Sequence, residues 1–243
     1  MSSLEAKKIT PATGTTVTLG AAGDTVDVAA TALKTNTIKD AGGNTILTSN
    51  GSGTLSSVNG ALKGGLKFIS TQTVTAGTSI EFTSGIDSTY NEYLFMLTDI
   101  HNNTNDTSFQ FQFNAVGASG FNEVITSTYF YTYHLEGGAE STGLDFNTGQ
   151  SQGQGTAGQG TSFNMDSEAT ASMAGILHLF VPSSTTYVKQ FYFTGVVNTN
   201  TPSADEMFTA GYINTTAAID EVIFRCSSGN FNGTVAMYGT GTA

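Results

Sequence analysis

Tryptophan is absent from this chain, cysteine occurs once, and only eight Lys and Arg side chains stand against nineteen Asp and Glu. The shortage of cations excludes a nucleic-acid binder, which needs a basic face to displace counterions from phosphates. A single cysteine excludes a disulfide scaffold and any cysteine-rich zinc or iron–sulfur centre. Long apolar runs are also missing. The longest, Ala174 to Pro182, is interrupted by His178 and falls far short of the roughly 20 residues that cross a bilayer. Met1 to Lys8 is polar and mixed in charge, unlike the apolar core of a signal peptide. These absences predict a protein made in a cytoplasm, without membrane insertion.

Charged residues are 11% of the chain, less than half the usual share of about 25%. Polarity comes instead from 29 glycines and an excess of Thr, Ser and Asn. A hydrophobic content of 38%, with 16 Phe and 9 Tyr, is too rich for a disordered chain.

Charge and aromatics are unevenly spread. Residues 1–67 hold six lysines against Glu5, Asp24, Asp27 and Asp40, a net of +2. Residues 68–243 hold only Lys189 and Arg225 against fifteen carboxylates, a net of −13, and they contain every Phe and Tyr. Such a step in composition marks a domain boundary. Glycines at 60, 64 and 65 give the backbone freedom to change direction there. The expected organisation is an N-terminal anchor or oligomerisation segment over 1–60, a Gly-rich linker over 61–67 and a globular domain over 68–243.

Residues 15–29 and 36–49 each read as a short β-branched strand, a glycine-containing turn and another short strand. Gly23-Asp24-Thr25-Val26 maps onto Gly43-Asn44-Thr45-Ile46, a weak two-copy repeat that chance similarity in Thr/Gly-rich sequence could also produce. The segment has no aromatic side chain, and isolated hairpins are marginal in water. Either it is a flexible leader or it orders against other chains, as an intertwined β-stalk or an anchor on a larger assembly. The second alternative predicts a homotrimer.

From residue 68 the dominant signal is period two. Phe109, Phe111 and Phe113 alternate with Gln110, Gln112 and Asn114, which places three rings on one strand face. Similar strands are expected over 90–100, 125–135, 175–181, 188–197, 207–213, 220–226 and 234–238, with 79–83 and 68–74 opening the set. No window carries an amphipathic helix. The expected fold is all-β, a jelly-roll-like β-sandwich of eight to ten strands preceded by a short Thr/Gly-rich β-hairpin segment. The Gly/Gln run over 147–162, with Gln150, Gln152, Gln154 and Gln159, is expected as an exposed loop, either a variable tip that touches a partner or a plain connection.

Few residues announce chemistry. His101, His134 and His178 lack metal-ligand spacing, and His178 in its apolar strand reads as a core or interface histidine. Nucleophile-elbow, P-loop and dinucleotide glycine patterns are absent. Cys226 shares a strand face with Val222 and Phe224, the setting of a buried thiol. Asp205-Glu206 and Asp220-Glu221 are adjacent pairs, which on strands point to opposite faces. The oxygen-rich run from His101 to Asp106 misses the EF-hand ligand pattern. No cofactor and no metal are expected. Tyr129, Tyr131 and Tyr133 form a stripe with Phe130 on the other side. Facing outward, it would be contact surface for sugars or a subunit; facing inward, it would fill the sandwich.

Leu33 to Leu62, LKTNTIKDAGGNTILTSNGSGTLSSVNGAL, resembles the N-terminal segments of marine bacteriophage tail-fibre-like proteins. Ile69 to Phe95, Leu179 to Phe191 and Ala210 to Gly239 resemble the C-terminal domain of virion surface proteins from the same viruses. The resemblance implies a trimeric β-structured appendage of the virion, with no enzyme activity and no catalytic residues. Three readings follow. One is a short tail fibre anchored to other virion proteins through residues 1–60, with the sandwich exposed to a host polysaccharide or receptor. The second is a head decoration or cement protein, which the short chain favours. The third is a polysaccharide-cleaving β-domain enzyme, which would need converging carboxylates of raised pKa.

Overall fold

A computed structural model describes residues 13, 35–52, 55–58, 65–137 and 141–242 of the chain. The chain divides into two compact units, Met1–Lys63 and Gly64–Ala243.

In the first unit, β1 (Thr37–Lys39), β2 (Thr45–Ser49) and β3 (Leu55–Val58) form an antiparallel sheet in that order. The strand–turn–strand expected over 36–49 is its first hairpin. Asp40 closes the turn by accepting from the Asn44 backbone N–H at 2.8 Å and from its side-chain amide at 3.0 Å. Those bonds hold the Asp40 carboxyl below its ordinary pKa. Gly43 sits at φ +82°, the left-handed conformation that glycine adopts without strain. No described residue of this unit is buried. The second hairpin expected, over 15–29, lies outside the described residues.

The second unit is an all-β sandwich. Its strands are β4 (Lys67–Gly77), β5 (Ile80–Phe82), β6 (Tyr90–Asn102), β7 (Phe109–Ala115), β8 (Ile125–Leu135), β9 (Thr142–Phe146) and β10 (Gly153–Gly155). They continue as β11 (Gln159–Gly160), β12 (Met173–Phe180), β13 (Lys189–Asn198), β14 (Ser203–Ile213), β15 (Ile219–Cys226) and β16 (Phe231–Thr242). No helix occurs among the described residues. Nine strands form one antiparallel sheet, ordered β10-β8-β14-β13-β12-β6-β16-β4 with β9 also on β8. Four form the other, ordered β11-β7-β15-β5.

Three pairings are nested: β6 with β16 in the large sheet, β7 with β15 in the small one, and β8 with β14 in the large one again. The β12–β13 hairpin is lodged between β6 and β14. The nine-plus-four division and this inserted hairpin do not reproduce the eight-strand jelly roll expected from the sequence. The architecture is a β-sandwich.

Alternation puts the core where the sequence places it. Phe109, Phe111 and Phe113 of β7 are fully buried and pack, with Phe224, against Phe95 and Phe191 of the large sheet. Ring centroids of 5.0–6.5 Å in edge-on and stacked arrangements are those aromatic quadrupoles prefer. Cys226 is buried beside this cluster, which pushes its thiol up to about 11.

The Gly/Gln run over 147–162 corrects the expectation of an exposed loop. It contributes β10 to the large sheet and β11 to the small one. Gln154 is exposed and holds Thr126 and Asn214 with its amide at 2.7 Å each. Gln150 and Gln152 are half-buried, and Gln159 is fully buried. Gln159 accepts from the Ser127 hydroxyl at 2.6 Å and donates to the Gln150 carbonyl at 2.8 Å. The glutamines are structural because each amide replaces a missing ladder partner across the sandwich edge.

Candidate functional site

The tyrosine stripe faces inward, and it changes character along its length. On β8 the residues of one parity, including Phe130, lie on the outer face of the large sheet; Tyr129, Tyr131 and Tyr133 lie on the inner face. Tyr129 is fully buried, donates its hydroxyl to the Met207 sulfur at 2.7 Å and belongs to the core. Burial and the nearby Asp205 raise its pKa. Tyr131 and Tyr133 are half-buried, because β7 and β15 do not extend over this end of β8. Their rings stand 5.9 Å apart, and Phe163 packs edge-on to Tyr131 at 4.6 Å. Gly143 of β9 lies over Tyr133, where an added Cβ would come within 2.5 Å of the ring. Any side chain there would push the ring from its place.

Opposite Tyr133 in the strand register stands Asp205 of β14, the one buried carboxylate among the described residues. Its Oδ1 lies 2.5 Å from the Ser203 hydroxyl, which lies 2.7 Å from that of Thr199. Thr199 in turn donates to the Thr201 carbonyl at 2.6 Å. Burial pushes the Asp205 carboxyl above its ordinary range, partly offset by Ser203. Burial and the charges of Asp145 and Asp205 also raise Tyr131. Tyr131, Tyr133, Phe163, Thr199, Ser203 and Asp205 line a groove of about 160 Å³.

A larger cleft of about 400 Å³ shares Thr199 with this groove. Asn105, Glu136, Asp166, Glu168, Asn198 and Asn200 line it, and no Lys or Arg does. The Asn200 backbone N–H donates to the Asn164 carbonyl at 2.9 Å, which ties the two walls together. Aromatic faces beside carboxylate and amide oxygens suit a ligand with both C–H faces and hydroxyls. Phosphate and sulfate would meet uncompensated negative charge.

Other sequence candidates fall elsewhere. His178 lies on the outer face of the large sheet, 2.6 Å from Glu92. His101 meets the Ala171 carbonyl at 2.8 Å, and His134 is exposed. Asp205 and Glu206 point to opposite faces, one buried and one exposed, as adjacent strand residues must. No group of three or more His, Cys, Asp and Glu among the described residues is placed to hold a metal ion. Asp205 and Phe163 were not singled out by sequence. The signal for Asp205 was available: Ser203, Asp205, Met207 and Thr209 share one parity, so a strand begun four residues earlier points its carboxylate inward. Phe163 had no such signal, since it stands outside any strand.

Comparison with protein-family models, characterised proteins and solved structures finds no match to this chain.

Proposed function

We propose that this chain is a structural protein of a bacteriophage virion, a short homotrimeric tail fibre whose β-sandwich binds saccharide on the host surface without cleaving it. Residues 1–60 anchor it to other virion proteins, and the groove at Tyr131 and Tyr133 is the contact with the sugar. The observation that carries this reading is the half-exposed wall of Tyr131, Tyr133 and Phe163 beside Asp205, continuous with an oxygen-lined cleft. The likeness of residues 33–62 and 69–95 to phage appendage proteins supplies the virion context.

The reading is tested with the full chain and surface polysaccharide purified from a host bacterium. Calorimetry should report binding that Tyr131→Ala weakens about ten-fold, the loss of about 1.4 kcal/mol expected for one aromatic stacking partner. No reducing ends should appear on long incubation. Binding unchanged in Tyr131→Ala would remove the groove from the account, and released sugar would make the protein an enzyme.

A second reading, a capsid decoration protein, is favoured by the short chain. The sandwich begins at Lys67, which leaves little length for a fibre shaft. Gold labelling of virions distinguishes the two: hundreds of copies spread over the head exclude the fibre.

A further inference from the structure

The outer face of the nine-stranded sheet is apolar where a solvated face would be polar. One row of cross-strand neighbours runs Phe146, Phe130, Phe208, Thr194, Ile176 and Met96. The next runs Tyr192, His178, Leu94, Tyr238 and Phe68. Phe130 stacks on Phe208 at 4.8 Å and His178 on Tyr192 at 4.2 Å, so the rings form a flat, fixed surface. Phe146 is 71% exposed, Phe68 53% and the flanking Val196 50%. Neither row contains a carboxylate, although fifteen occur between residues 68 and 243.

We infer that this face is covered by a second copy of the chain, sheet against sheet. Two observations choose that occupant. The first is charge: domains carrying a net of −13 repel one another everywhere except over a surface without carboxylates, and these rows are such a surface. The second is area. Eight strands about 4.8 Å apart span roughly 34 Å, and a band about 20 Å deep along the strands then covers roughly 700 Å². A standard interface takes about 800 Å² from each partner. Flat sheet faces pack on one another at about 10 Å, and a patch this large is otherwise an aggregation hazard. The contact rests on the homo-oligomeric part of the proposed function and adds to it a junction between sandwiches, apart from residues 1–60.

The test is thiol protection in the full chain. Val196→Cys places a thiol on the face, and Val116→Cys places one at a site 57% exposed beyond β7. The native Cys226 is buried and does not compete. At concentrations where light scattering reports an oligomer, a maleimide should label the first thiol at least about ten-fold more slowly than the second. Adding Tyr192→Glu should restore fast labelling, with circular dichroism confirming that the fold is retained. Equal labelling in an intact oligomer overturns the face as an interface and leaves oligomerisation through residues 1–60 standing. Protection that survives Tyr192→Glu also overturns it. A wild-type chain that stays at 25.2 kDa at every concentration overturns both.

Discussion

Asp205 poses a proton count. Three contacts link four oxygens: the Asp205 carboxyl to Ser203 at 2.5 Å, Ser203 to Thr199 at 2.7 Å, and Thr199 to the Thr201 carbonyl at 2.6 Å. Two hydroxyls carry two protons. All three contacts become hydrogen bonds only when the carboxyl supplies the third, so that each group donates to the next. When Asp205 is ionised, the Ser203–Thr199 contact sets lone pair against lone pair. Burial acts in the same direction. The groups facing it across the groove, Tyr129, Tyr131, Tyr133 and Asp145, offer it no cation. A folded-state pKa above the unfolded value means the stability of the neutral form is fully present below about pH 4 and is lost as pH rises through the folded pKa. Asp205→Asn keeps a donor toward Ser203 at every pH. It should therefore raise Tm at pH 7 by about 2–4 °C, the equivalent of about 1 kcal/mol in a domain of this size. Melting curves from pH 4 to 8 should converge at the acid end. A variant less stable than wild type at pH 7 would show that the ionised carboxylate is the form the fold selects.

At the scale of elements, the strands with alternating apolar residues were legible and the Gly/Gln segment was not. Phe109 to Phe113 and Tyr129 to Tyr133 carry their face assignment in their own spacing, because a strand alternates regardless of its neighbours. Residues 147–162 carry no such pattern. Their order comes from Ser127, Thr126 and Gln112, which are distant in sequence; Gln112 alone donates to Thr156 and Ala157 at 3.1 and 2.8 Å. The exposed half of the groove was hidden for a related reason: whether Tyr131 or Tyr129 is covered depends on where the opposite sheet ends. Gln159 tests the structural role of the segment. Gln159→Ala leaves the Gln150 carbonyl and the Ser127 hydroxyl without their partner in a dry site, at about 1–3 kcal/mol for each group. Chemical denaturation should show a loss of at least about 2 kcal/mol. Gln154→Ala, at an exposed position, should stay within about 0.5 kcal/mol of wild type. Equal, small effects at both positions would return the segment to the status of a plain loop.

For the whole molecule, the decisive quantity is the division of charge, +2 over residues 1–67 and −13 over 68–243. Two ways of joining copies make opposite demands on salt. If a basic N-terminal segment of one chain is drawn to the acidic sandwich of another, added salt screens the attraction and loosens the assembly. If sandwiches meet over the aromatic rows of the large sheet, the remaining carboxylates repel across the junction and salt relieves that repulsion. The Debye length shortens from about 14 Å at 0.05 M to about 4 Å at 0.5 M ionic strength, so charges at the rim of such a contact cease to feel one another. Burial of Phe146, Phe130 and Tyr192 is itself insensitive to screening. Sedimentation velocity of the full chain in sodium chloride should accordingly show the dissociation constant falling several-fold between about 0.05 and 0.5 M. Tyr192→Glu, which adds a carboxylate inside the junction, should steepen that dependence while weakening association throughout. A dissociation constant that rises with salt would assign the assembly to attraction between the two ends of the chain and leave the apolar face unpaired.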